Sequence, residues 1–171
     1  MKIEIKTVLK SEKEILRNLL EKYSYEFSQY TKIDVNPLGL YGYTYLDYYW
    51  TEKSRWAYFI IVDNTLAGFV MVIDMPEVDD IPADFQIAEF FVMHKYRKQG
   101  IGKKAVFEVF DKHHGKWQLK THPNNVASCI FWTKVIEAYT NGNYELIKSY
   151  PNTEYDDGTL GNIYFFDNSQ V

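Results

Sequence analysis

Arg97-Lys98-Gln99-Gly100-Ile101-Gly102 stands between two stretches of different period. Before it, Ile87 to Met93 is an apolar run of strand length, rich in Phe and Val. After it, Ala105, Val106, Val109 and Phe110 recur at helical spacing. A strand that feeds a glycine-rich turn and then a helix forms an anion site. The first helical N–H groups lack intrahelical acceptors, the macrodipole is positive there, and glycine admits a phosphate close to the backbone. The stretch points to a ligand bearing phosphates.

Gly100-x-Gly102-x-x-Ala105 also fits the fingerprint of a dinucleotide-binding βαβ unit. There the first glycine follows the strand almost directly, and an acidic residue comes about 20 residues on. Here six residues, His94 to Gln99, separate Met93 from Gly100. The next strand, Trp117-Gln118-Leu119-Lys120-Thr121, ends in Lys and Thr and carries no carboxylate. Both departures argue against a nicotinamide cofactor, a rival that predicts stabilisation by NAD and none by CoA.

A second element lies downstream, Asn125-Val126-Ala127-Ser128-Cys129-Ile130-Phe131-Trp132-Thr133-Lys134, followed by Gly142-Asn143-Tyr144. Together with the glycine turn it resembles the GNAT superfamily of acyl-CoA-dependent N-acetyltransferases. Their pyrophosphate loop reads Arg/Gln-x-x-Gly-x-Gly/Ala, and their later helix opens with Asn, a small residue three on, then an aromatic pair. The two elements agree in order and spacing and cover residues 86 to 144. The resemblance implies one α/β domain over residues 1–171, with a mixed, mostly antiparallel sheet of about seven strands and helices on both faces. It also implies acetyl transfer from acetyl-CoA, as co-substrate, to a primary amine by direct attack in a ternary complex. The rival from another class is a non-catalytic acyl-CoA-binding or sensing domain.

Composition agrees with one soluble domain. The chain has 171 residues, 46% of them hydrophobic, enough for one sizeable core. With 19 basic against 23 acidic residues and no extended basic run, nucleic acid is not an expected partner. Met1-Lys2-Ile3-Glu4-Ile5-Lys6 alternates charge with Ile and lacks the apolar core of a signal peptide, and no apolar stretch approaches the length of a membrane span. The single cysteine, Cys129, cannot form an internal disulfide. A cytoplasmic protein with no membrane association is expected, and a homodimer is left open.

Lys2 to Val8 alternates as a strand, and Ser11-Glu12-Lys13-Glu14 reads as a capping box before a helix with Ile15, Leu16, Leu19, Leu20, Tyr23 and Phe27 on one face. A second short helix is expected from about Thr44 to Glu52. Trp56 to Val62 and Leu66 to Asp74 read as a hairpin joined at Asp63-Asn64-Thr65. Tyr144 to Ser149 and Asn162 to Phe166 complete the sheet as an antiparallel pair.

The resemblance carries over residue by residue. Backbone N–H groups of Lys98, Gln99, Gly100, Ile101, Gly102 and Lys103 are expected to hold the CoA pyrophosphate, with Arg97, Lys98, Lys103 and Lys104 adding positive charge. In the family the preceding strand carries a bulge whose free backbone groups bond the pantetheine, which maps here to Phe90, Phe91 and Val92. Asn125 matches the residue that reaches the pantetheine arm from the later helix, or serves only as its N-cap. Trp132 stands where many members have a Tyr that protonates the departing sulfur, and an indole offers only an N–H donor.

Glu89 is the leading candidate for the base. It is the only charged residue between Gln86 and Met93, and burial would raise its pKa toward the working range. His94 ranks second as a base, and Tyr139 is a distant substitute acid. Tyr41, Tyr43, Tyr45, Tyr48, Tyr49 and Trp50, with Asp47, Glu52, Asp74 and Glu77, would suit a cationic small-molecule or peptide amine; the alternative is that most of these rings fill the core. His113 and His114 fit a helix C-terminus by dipole alone. Cys129 reads as packed rather than nucleophilic, and the four histidines have no metal-ligand spacing with it, so no metal is expected.

Overall fold

Strand alternation and helical periodicity resolve into seven strands and four α-helices in the computed structural model, which describes residues 1–170. In chain order these are β1 (Ile3–Thr7), α1 (Lys13–Thr31), α2 (Tyr48–Thr51), β2 (Arg55–Val62), β3 (Thr65–Ile73), β4 (Phe85–Val92), α3 (Ile101–Lys112), β5 (Lys116–Thr121), α4 (Val126–Thr140), β6 (Glu145–Ile147) and β7 (Asn162–Asp167). One sheet runs β1-β2-β3-β4-β5-β7-β6. Among the described residues, β4 and β5 form its parallel pair, crossed over by α3, and the other pairs are antiparallel. The architecture is the single mixed α/β domain expected, with helices on both faces.

The β2–β3 hairpin turns on Asp63 and Asn64, both left-handed at φ 47° and 63°, which matches the right-handed twist of the flanking strands. β3 lies between β2 and β4 with Phe69, Val70, Met71 and Val72 all fully buried. A strand covered on both faces reads as a continuous apolar run, as this one does. On one face Leu16, Leu19 and Leu20 of α1, with Tyr49 of α2, pack on Phe59, Phe69, Met71 and Phe91. On the other, Ile101, Ala105, Val106, Val109 and Phe110 of α3 join Trp132, Val135 and Ile136 of α4. Each fully buried Leu, Ile, Val, Phe or Met among them contributes about 1.5–3 kcal/mol.

Three local expectations change. Ser11 does not cap α1: residues 10–12 form a 3-10 turn, and the Glu12 carboxylate reaches back to accept from the Leu9 N–H at 3.0 Å. The second helix keeps only Tyr48–Thr51, because the turns before it are held by short-range bonds such as Leu46 N–H to Tyr43 O. His113 is no charged dipole partner. It is buried against Trp56 and Phe85, bonded to the Tyr58 hydroxyl at 2.8 Å, and burial pushes its pKa down to about 4, with the Lys112 and His114 charges adding.

Candidate active site

The site begins with one extra residue in β4. Met71 pairs with Glu89 and the next residue, Val72, pairs with Ile87, so Ala88 has no partner on β3 and bulges. The bulge resets the alternation of faces. Gln86, Ala88, Glu89 and Phe91 look toward α1 and its cavity, while Ile87, Phe90 and Val92 look toward α3 and α4. The expected bulge at Phe90–Val92 therefore lies earlier in the strand, because those residues keep their register with β3. Burial pushes the Glu89 carboxyl up to about 7. The Tyr23 and Tyr43 hydroxyls beside it favour the ionised form without offsetting burial, the nearby Glu77 adds repulsion, and Lys120 opposes it.

Just before the bulge β4 leaves its parallel neighbour. β4 and β5 pair only at Phe85–Trp117 and Gln86–Gln118, then separate. Met93 N–H bonds to Ala67 O at 2.9 Å on the β3 side, and the Phe91 carbonyl abuts Gly68 there. Alternation then turns the backbone groups of Phe90 and Val92 to the open β5 side. Val92 O is already bonded by Arg97 Nε at 2.6 Å. The rest of that guanidinium grips Glu26 of α1 with both Nη atoms, at 2.6 and 2.7 Å. Arg97 thus ties strand to helix, and its charge is matched by a carboxylate rather than offered to the turn.

The turn itself is shaped by two left-handed residues, Lys98 at φ 58° and Gly100 at φ 76°. No atom beyond its chain neighbours lies within 4 Å of a side chain built on Gly100, so the backbone there faces open space. The first helical bond runs from Lys104 N–H to Gly100 O at 3.1 Å. The N–H groups of Ile101, Gly102 and Lys103 therefore lack intrahelical acceptors. Gly102 is small for another reason: a Cβ would sit 3.1 Å from the Phe131 ring and 3.3 Å from the Phe90 ring. Gln99 is spent on Lys95 O, and Lys103 leans over the Phe107 ring.

α4 borders the same cleft. Asn125 caps it, its side-chain oxygen accepting from Ser128 N–H at 3.1 Å, which leaves the amide NH2 free to donate. Trp132 is a core ring, buried edge-on against Phe90 and Phe131. Tyr139 is bonded to Asp111 and packs on Phe107 and Phe110, on the α3 side. Cys129 lies half-buried against Thr121 and the His122 carbonyl. His94 is exposed on the surface beside Glu26 and does not reach Glu89's cavity.

A cavity of about 480 Å³ opens beside Glu89, lined also by Tyr43, Tyr45, Arg55, Met75 and Glu77. Of the dense aromatic segment, Tyr43 and Tyr45 reach it, while Tyr49 and Trp50 belong to the core. Asp47 pairs with Lys13 at the surface and Glu52 with Arg55. Glu77 pairs with Lys120 at 2.9 Å, on a loop gripped by the buried Gln118 amide, which accepts from Glu77 and Val78 N–H and donates to Ile81 O.

Sequence reasoning missed Tyr155. It rides on a tight turn between β6 and β7, with Tyr155 N–H to Thr159 O and Gly158 N–H to Tyr155 O. The ring lies under Lys120 Nζ at 4.3 Å and beside His122 at 4.7 Å. His122 is buried; its Nδ1 accepts from Asn124 N–H, so its Nε2–H faces the Asp157 carboxylate at 3.3 Å and pins that turn. Burial, with Glu77, Glu89 and Cys129 nearby, pushes the Tyr155 hydroxyl well above its ordinary pKa and keeps it protonated. The Asp157-Gly158 pair is a local turn signal, but nothing local in the sequence tells where the turn docks.

The two parallel strands of a layered α/β domain thus part beside a glycine turn, with the Glu89 carboxyl lining a cavity near the parting. The chain belongs to the acetyltransferase (GNAT) family, whose sequence profile matches residues 15–136. The fold is similar to an acetyltransferase of that family from Staphylococcus aureus Mu50, at 17% identity, TM-score 0.63, covering 97% of this chain and 99% of that one. It is similar also to the spermidine N-acetyltransferase of Vibrio cholerae, solved with CoA and spermine, at 10% identity, TM-score 0.62, covering 98% and 96%. A third is the Arabidopsis thaliana enzyme NAA60 with acetyl-CoA, at 13% identity, TM-score 0.63, covering 97% and 98%. No curated protein matches the chain significantly.

Proposed function

We propose that this chain transfers the acetyl group of acetyl-CoA to a primary amine, by direct attack in a ternary complex. The observation that carries the reading is the Ala88 bulge, which sets Glu89 in its cavity at the point where β4 leaves β5. The residues fit the co-substrate. Open backbone at Gly100, with the N–H groups from Lys98 to Lys103, makes a cradle for a pyrophosphate. The Phe90 backbone groups and the Val92 N–H on the open edge, with the Asn125 amide across the cleft, suit the amides of a pantetheine arm.

When bound, acetyl-CoA supplies the activated acyl carbon. Glu89 takes the proton from the incoming ammonium, since a carboxyl with pKa near 7 is ionised often enough to act as base. In this reading the Tyr155 hydroxyl, held on its turn under Lys120 and beside His122, is the hydrogen-bond donor for the departing sulfur, the role that the core-packed Trp132 cannot fill. A thiolate of pKa about 8.5 needs only modest help.

The test is thermal unfolding with acetyl-CoA, CoA or NAD, followed by thiol release with an amine panel. A ligand at 100 times its dissociation constant adds roughly 2.7 kcal/mol, so acetyl-CoA and CoA should raise the melting temperature and NAD should not. No response to either CoA species would sink the proposal. The second reading, an acyl-CoA sensor, is favoured by Trp132 in the core. It predicts stabilisation by acetyl-CoA with no thiol release from any amine.

A further inference from the structure

We infer that the acceptor carries a carboxylate as well as its amine, and that Arg55 receives it; the inference rests on the acetyltransferase reading of the same cavity. Arg55 opens β2 and lines the cavity with Glu89. Its side chain is only 11% exposed, held among the rings of Tyr45, Tyr48 and Tyr49 at 5.4–5.8 Å. Nε bonds Glu52 at 2.7 Å, and Nη2 has only the Met75 sulfur, at 3.9 Å. Among the described residues neither Nη has a carboxylate or carbonyl partner, and the oxygen contact there is a loose one to the Tyr49 hydroxyl. A guanidinium that lines a cavity with no carboxylate on its Nη groups suits a planar, bidentate oxyanion. Beside it the buried Tyr49 hydroxyl makes only loose contacts, to Tyr43 and to Arg55 itself.

Charge balance points the same way. Glu77 is matched by Lys120 and Glu52 by Arg55, so Glu89 alone among these carboxylates has no ion-pair partner. A polycation would find one spare carboxylate at most. An amino carboxylate finds a base at one end and a guanidinium edge without a carboxylate at the other. In the sheet, Arg55 lies opposite Ile73, Ile73 opposite Gln86, and Glu89 opposite Met71. Two strand spacings across and two residues along place the Arg55 and Glu89 backbones about 12 Å apart. Both side chains reach into that gap, which leaves room for a short acceptor.

The experiment compares thiol release for glycine, β-alanine, 4-aminobutyrate and 6-aminohexanoate with their carboxamides, and with spermidine. The amides have the less basic amine and so more free base at neutral pH, and a preference for the acids runs against nucleophile availability. At least one acid should exceed its amide in kcat/KM by about tenfold or more, the worth of a charge-assisted pair. In Arg55→Gln that ratio should collapse, with KM carrying the change. A purely structural Arg55 would lower acid and amide together. Equal use of acids and amides by the wild type, or better use of spermidine, overturns the inference even if Arg55→Gln does not fold. Failure of acetyl-CoA to stabilise the protein instead overturns the acetyltransferase reading beneath it.

Discussion

A half-buried carboxylate with its pKa raised toward neutrality is useful to a base and unfavourable to the fold, and Glu89 is placed to have both effects. If it removes the acceptor's proton, kcat/KM should rise with pH through about 7. Glu89→Gln should flatten that limb and lower the rate with little change in acetyl-CoA affinity; a variant with the wild-type profile would remove Glu89 from the mechanism. Gly100 makes the second prediction at this scale. Its φ of 76° and empty surroundings match those of Gly39, at φ 73°. Valine at either position meets about 1–2 kcal/mol of left-handed strain. Only Gly100→Val should also weaken acetyl-CoA binding, by about tenfold or more on titration calorimetry. Equal affinities in the two variants would show that the turn is not the pyrophosphate cradle.

At the scale of elements, the strand β4 and the β6–β7 turn decide the site. Deleting Ala88 leaves Gln86, Ile87, Glu89 and Phe90 in plain alternation, so Glu89 still faces its cavity but the bend is gone. The deletion should fold, extend β4–β5 pairing and lose acetyl-CoA affinity; unaltered affinity would mean that the bulge does not open the cleft. Tyr155→Phe keeps the ring under Lys120 and beside His122 while removing the hydroxyl. It should lower kcat about tenfold or more at an unchanged melting temperature, and a wild-type kcat would exclude Tyr155 as the acid. These features differ in how they show in a sequence. The glycine turn, the strand runs and the lone Glu89 are local, carried by period and residue type. The Ala88 bulge has no side-chain signature, and Arg97–Glu26 and His122–Asp157 join segments far apart in the chain.

For the whole molecule, two groups removed from water to different degrees, Glu89 and His113, act on stability with opposite sign. Glu89 rises from an ordinary 4.5 to about 7, so its contribution is full below 4.5 and is lost as pH rises to 7. His113 falls from 6.5 to about 4, so its contribution is full above 6.5 and is lost as pH falls to 4. Each is on the order of 3 kcal/mol over its full range, and they offset one another between pH 4.5 and 6.5. Glu89→Gln should therefore expose the histidine alone, with a melting temperature that climbs with pH in that window where the wild type stays flatter. Identical profiles would mean that the Glu89 shift is not present. The sheet order β5-β7-β6 has a consequence for biosynthesis. Lys116 waits for Asp167 and Thr121 for Asn162, so a ribosome must deliver some forty further residues before β5 gains its second neighbour. Until then the nascent chain exposes a bare strand edge bearing Trp117 and Leu119, the interval in which it is most in need of a chaperone.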